Sequence, residues 1–191
     1  MAVNHCVIVG LGKNKELALK VPDADLWGLA WDSEWASYDR LFEMHDLELI
    51  RSISCRPHDY EDKLCDVWQP LYMQEAYKDI PTSTKYPVDE ISKITGNYFN
   101  SSIAYMIAMA IHEDYDQITV LGVNMKDAEE YRYQKPNLEY LIGIAAGLGV
   151  QVNVPESSGL CQFNPEGIKF GNEYVTYKER YGKWQSPNTL N

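Results

Sequence analysis

The 191-residue chain carries 17 basic and 28 acidic side chains, a formal net charge of −11 and a pI near 4.8, so it can bury one sizeable core but scarcely two. No lysine- or arginine-rich run offsets that acidity, which excludes binding to a nucleic acid duplex through its phosphates and favours a small-molecule partner. No apolar run approaches a membrane span, and no basic segment followed by an apolar one opens the chain, so a cytoplasmic protein with no membrane partner is expected.

The first element is His5-Cys-Val-Ile-Val9, a short β-branched run that stops at Gly10-Leu-Gly12. Leucine spacing over residues 14–20 then predicts a helix. A strand, a glycine turn and a helix in that order let the backbone come close to a phosphate. Asp25-Leu-Trp-Gly-Leu-Ala30 predicts the second strand, followed by the aromatic and acidic loop Trp31-Asp-Ser-Glu-Trp35. Arg40-Leu-Phe-Glu-Met44 predicts the third, ending at His45-Asp46. If these strands run parallel, Gly10, Asp32 and His45 emerge along one edge of the sheet, where open α/β sheets bind ligands. His45 is therefore a candidate for acid–base work.

Residues 48–90 weaken into polar pieces separated by Pro57, Pro70, Pro81 and Pro87, and read as an insertion or lid. Within them Pro70-Leu-Tyr-Met-Gln74 predicts a short strand, and residues 80–87 an extended loop lying over the sheet edge. The stretch Tyr98-Phe-Asn-Ser-Ser-Ile-Ala-Tyr-Met-Ile-Ala-Met-Ala-Ile-His112 leaves almost no polar face, so it predicts a buried central helix. Asn100, Ser101 and Ser102 are good caps for its start, and the backbone N–H groups of a first turn can meet an anion.

Gln117-Ile-Thr-Val-Leu-Gly-Val-Asn-Met125 predicts the next strand, with Asn124 at its carboxyl end. It is followed by Glu129-Glu-Tyr-Arg-Tyr-Gln-Lys-Pro136, a loop whose Tyr131, Tyr133 and Gln134 suit a base or a sugar. Asn137 reads as the cap of a helix over residues 138–149. Glu139 then lies in its first turn, where it either favours the helix dipole or faces the crevice as a nucleophile or ribose ligand. Val150-Gln-Val-Asn-Val154 predicts the last parallel strand, and residues 161–191 a C-terminal hairpin or arm whose aromatics suit packing in a homo-oligomer.

Apolar strands alternating with helices predict a three-layer α/β fold, a Rossmann-like, doubly wound, mostly parallel sheet spanning residues 1–160. Cys6, Cys55, Cys65 and Cys161 read as thiols rather than disulfides. The cluster of Cys55, His58 and Cys65 matches no compact zinc spacing, so no metal is expected.

Taken together, Val7-Ile-Val-Gly-Leu-Gly12, Arg40-Leu-Phe-Glu-Met-His45, Tyr98-Phe-Asn-Ser-Ser-Ile-Ala-Tyr-Met106, Gly122-Val-Asn-Met125, Glu130-Tyr-Arg-Tyr-Gln134 and Asn137-Leu-Glu-Tyr140 resemble a group of small tailed-phage proteins over roughly residues 5 to 160. That group is remotely similar to the Rossmann-like domain of bacterial sialyltransferases, motility-accessory factors and pterin diphosphokinase-like proteins. The resemblance implies a host-cytoplasmic phage protein that binds a nucleotide or nucleotide-sugar through Gly10, Gly12, Ser101 and Ser102. Sialyltransferases of that type place a general-base histidine late in the chain. Here no histidine follows His112, so transfer would fall to His45 or Glu139 as base. The unit from Asn137 to Val154 also looks like nucleoside deoxyribosyltransferases and nucleotide N-hydrolases, in which a helix-start glutamate is the nucleophile. Three functions follow: a small-molecule transferase, an N-glycosidic hydrolase or deoxyribosyltransferase using Glu139, and a phage protein that sequesters a signalling nucleotide. In the last, Tyr131 and Tyr133 would stack on the base.

Overall fold

The alternating apolar run of the first strand, β1 (His5–Val9), puts Cys6 and Ile8 on one face and Val7 and Val9 on the other, and all four are buried. A strand buried on both faces needs a layer of structure on each side. The computed structural model of this chain, which describes residues 3–52, 59–125, 131–155 and 158–161, has those layers. Around β1 stand β2 (Asp25–Leu29), β3 (Arg40–Glu43), β4 (Leu71–Met73), β5 (Ser83–Lys85), β6 (Gln117–Leu121) and β7 (Gln151–Asn153). All pair in parallel, in the order β5-β4-β3-β2-β1-β6-β7, giving a three-layer Rossmann-like α/β fold.

Helices α3 (Val88–Thr95), α4 (Ser102–His112) and α5 (Tyr131–Gly147) cover the face of Cys6, Ile8, Ile118 and Val120. The opposite face, with Val7, Val9, Leu41 and Leu121, is covered by α1 (Leu47–Ser52), α2 (Tyr60–Asp66) and the 3-10 turn Lys15–Lys20. The central helix is α4, in which residues 103, 104 and 106–111 are all buried. Burial of each large aliphatic or methionine side chain there contributes about 1.5–3 kcal/mol, which explains why no polar face was kept. Its N-cap is Ser101, whose backbone is extended and whose Oγ accepts from the Ala104 amide at 3.3 Å.

Several expectations need correction. The described part of residues 48–90, read as an insertion or lid, supplies β4 and β5, which continue the sheet beyond β3, together with α2. The extended loop expected at 80–87 contains β5, whose polar Ser83-Thr-Lys85 sequence suits an edge strand with one side unpaired. The helix expected after Gly12 is a 3-10 turn.

The last helix starts at Tyr131, not at Leu138, and runs through Pro136. Asn137 is fully buried, and instead of capping a helix it reaches across to the segment before α4. Its Oδ1 accepts from the Asn100 amide at 2.9 Å and its Nδ2 donates to the Tyr98 carbonyl. Glu139 consequently lies in the third turn of α5.

The chain divides into units of residues 1–160 and 161–191. The arm expected over the second unit lies, apart from Cys161, outside the described residues, as do Cys55 and His58. No described helix is long and apolar enough to cross a membrane.

Candidate functional site

Strand order reverses between β1 and β6: the chain leaves β1 towards β2 and leaves β6 towards β7 on the other side. The loops at the two carboxyl ends therefore diverge, and such a switch point opens a crevice in a doubly wound sheet. Here it is a cleft of about 580 Å³. Its walls are the ends of β1 (Gly10, Leu11, Gly12), β2 (Leu29, Trp31), β3 (Phe42, Glu43, His45) and β6 (Gly122, Val123, Asn124, Met125), the start of α4 (Asn100, Ser101, Ser102, Ile103) and Gln134 of α5.

The glycines at the switch point bring the two central loops together. Gly10 donates to the Leu121 carbonyl at 2.8 Å and Gly12 to the Gly122 carbonyl at 2.6 Å. A Cβ on Gly10 would lie 2.5 Å from the Gly122 oxygen, and Gly122 itself has φ +63°, a conformation that side chains disfavour. The amides of Gly10 and Gly12 are thus engaged with the β6 loop. Anion-seeking donors on this part of the wall come from α4, where the Ser102 and Ile103 amides precede the first intrahelical donor, the Ala104 amide, and the helix dipole is positive.

At the end of β3 the side chain of Glu43 is nearly sealed from solvent, 4% exposed, whereas that of His45 is 40% exposed. Nδ1 of His45 donates to Glu43 Oε1 at 2.5 Å, and the His45 amide donates to the same oxygen at 3.2 Å. Tyr60 of α2 donates its hydroxyl to Oε2 at 2.6 Å. A carboxylate that holds Nδ1–H puts the lone pair of the neutral ring on Nε2, the arrangement that makes a histidine a directed base. Trp31 lies against Tyr60, with ring centroids 5.2 Å apart.

On the far wall Asn100 donates its Nδ2 to the Tyr133 carbonyl at 3.2 Å, tying the start of α4 to α5 near Gln134. Asn124 contributes a buried Oδ1 that has no hydrogen-bond partner among the described residues.

Of the residues singled out in the sequence, Gly10, Gly12, His45, Ser101, Ser102, Asn124 and Gln134 line this cleft. Asp32 does not: it pairs with Lys15 at 2.5 Å, and the same ammonium sits 4.5 Å from the centre of the Trp35 ring. Tyr133 is 71% exposed and absent from the lining. The side chain of Tyr131 lies outside what is described. Glu139 is also absent from the lining and approaches Lys135 at 3.8 Å, one helical turn away. The sequence reading missed Glu43 and Tyr60, named Trp31 only as part of an aromatic loop, and named Asn100 only as a cap of the central helix. A glutamate two residues before a strand-end histidine was the available signal for Glu43, but Tyr60 is 17 positions from it and gives none.

Among solved structures, the chain is similar to the sialyltransferase CstII from Campylobacter jejuni, described in complex with a substrate analogue, cytidine-5'-monophosphate. The TM-score is 0.51 at 14% identity, over 82% of each chain, and the likeness is one of fold. No family model and no curated protein matches the chain.

Proposed function

We propose that the cleft binds a nucleotide or nucleotide-sugar and that the chain is a small-molecule transferase in which His45, held by Glu43, is the general base. The observation that carries this reading is the Glu43–His45 hydrogen bond at the wall of a cleft that also holds the start of α4. In the proposed step His45 Nε2 takes the proton of an acceptor hydroxyl. The acceptor oxygen bonds to the anomeric carbon of the donor as the bond from that carbon to the phosphate oxygen breaks. The nucleotide leaves with its negative charge beside the α4 amides, where helix geometry stabilises it. Glu43 stabilises the imidazolium that forms. The similarity to a transferase whose structure is described with cytidine-5'-monophosphate supports a nucleotide as the ligand class.

Nothing in the geometry favours Glu139 as a glycosidic nucleophile, because it stands outside the cleft lining. The test is a thermal-shift screen against nucleoside mono- and diphosphates, nucleotide sugars and cyclic nucleotides, followed by mass analysis of each stabilising compound. Free nucleotide released from a nucleotide sugar, with transfer to water or to an added acceptor, is the expected result. A free base would establish N-glycosidic cleavage instead, and a nucleotide sugar recovered intact with every acceptor would leave sequestration. No stabilisation by any compound would overturn the phosphate site.

A further inference from the structure

We infer that Trp31 is the platform on which the transferred sugar ring lies, so that the donor's non-nucleotide part is a carbohydrate with an apolar ring face. This rests on the nucleotide-sugar reading of the cleft and extends it to one wall. Trp31 follows β2 and His45 follows β3, adjacent strands in the sheet, whereas Asn124 and Gln134 line the β6 side. A ligand whose phosphate sits at the start of α4 would therefore direct one end towards Trp31 and His45 and the other towards the amides of Asn124 and Gln134. The reacting carbon must be near the base, which assigns the His45 end to the sugar and the amide end to the nucleobase.

On the sugar side, among the described residues, Trp31 is the large aromatic exposed at the wall. It is 42% exposed, while Phe42, which also lines the cleft, is 1% exposed and stacked on Tyr72. Its contact with Tyr60, at 5.2 Å between ring centroids, helps to hold the indole at the cleft wall. An indole face packs well against the C–H face of a pyranose, and that contact adds apolar burial without charge.

The test is calorimetric titration of wild type, Trp31→Ala and Trp31→Phe with matched pairs: CMP against a CMP-sugar, UDP against a UDP-sugar and GDP against a GDP-sugar. The expected result is one pair in which wild type binds the conjugate more tightly than the bare nucleotide. Trp31→Ala then loses roughly three- to tenfold in affinity for the conjugate alone, and Trp31→Phe recovers most of it. Unchanged affinity of Trp31→Ala for both members overturns the inference while leaving nucleotide binding intact. Equal loss on both members also overturns it, because the indole would then serve the nucleotide or support Tyr60. If wild type binds none of the six compounds, the nucleotide-sugar reading itself fails and the inference with it.

Discussion

His45 donates its Nδ1–H to Glu43 at 2.5 Å, and Tyr60 closes the other carboxylate oxygen at 2.6 Å, so a buried acid is fully engaged in orienting one half-exposed imidazole. Replacing Glu43 by Gln keeps the shape but removes the charge that stabilises the imidazolium. Glu43→Gln is expected to lower kcat by about 10²- to 10⁴-fold with little change in nucleotide affinity. Tyr60→Phe removes only one donor to the carboxylate and should cost far less. Steady-state kinetics alongside calorimetry checks both, and a Glu43→Gln enzyme with unaltered kcat would show the pair to be structural.

Ser101 caps α4 through a long 3.3 Å bond to an amide that also reaches the Ser101 carbonyl at 2.9 Å. The loss in Ser101→Ala should therefore sit in the lower half of the usual range for a cap, about 0.5–1 kcal/mol. For a chain of this size that corresponds to a fall in Tm of about 2–4 °C or less. The same substitution should weaken phosphate-containing ligands more than their nucleosides, which a comparison of the two by titration would reveal.

Asn124 offers the opposite signature. A buried oxygen without a partner gives no stability to the unliganded protein. Asn124→Ala should leave Tm unchanged or raise it, while ligand affinity falls severalfold. A lowered Tm with unaltered affinity would assign the residue to the fold instead.

Stability should decline at both ends of the pH range. Burial first of all raises the hydroxyls of Tyr86 and Tyr115, the second also through its hydrogen bond to Asp25, well above their ordinary value of 10.0. Above about pH 10 the unfolded chain releases those protons while the folded chain retains them, so stability is lost as pH rises. Burial likewise raises the Cys6 thiol. His5 behaves inversely: burial lowers it from 6.5, so its contribution is present above that value and is lost as pH falls below it. Denaturant midpoints measured across pH should therefore form a plateau between about 6.5 and 9, above which the unfolded chain first releases the Cys6 proton. A midpoint that rises above pH 10 would contradict the assignment.

The parts of the fold that periodicity made legible are those buried on every side. β1 and β6 announce themselves by β-branched runs, and α4 by its missing polar face and its serine cap. Elements fixed by tertiary context did not show. β5 is three polar residues whose strand character comes from pairing with β4. The true start of α5 was hidden because Pro136-Asn137 mimics a helix beginning, whereas the buried amide of Asn137 is engaged 37 and 39 positions away, with Asn100 and Tyr98. The same holds for the cleft. Its strand-end residues follow from topology, but the carboxylate behind His45 and the tyrosine behind that carboxylate depend on α2 packing against the sheet, which no local pattern encodes.

The central claim is that His45 moves a proton in a nucleotide-sugar cleft, and the most direct measurement compares wild type with His45→Gln on whichever nucleotide sugar stabilises the protein, following nucleotide release and binding in parallel. His45→Gln is expected to bind within about threefold of wild type but to release nucleotide about 10²- to 10⁴-fold more slowly. Release at the wild-type rate would contradict a role for His45 in proton transfer.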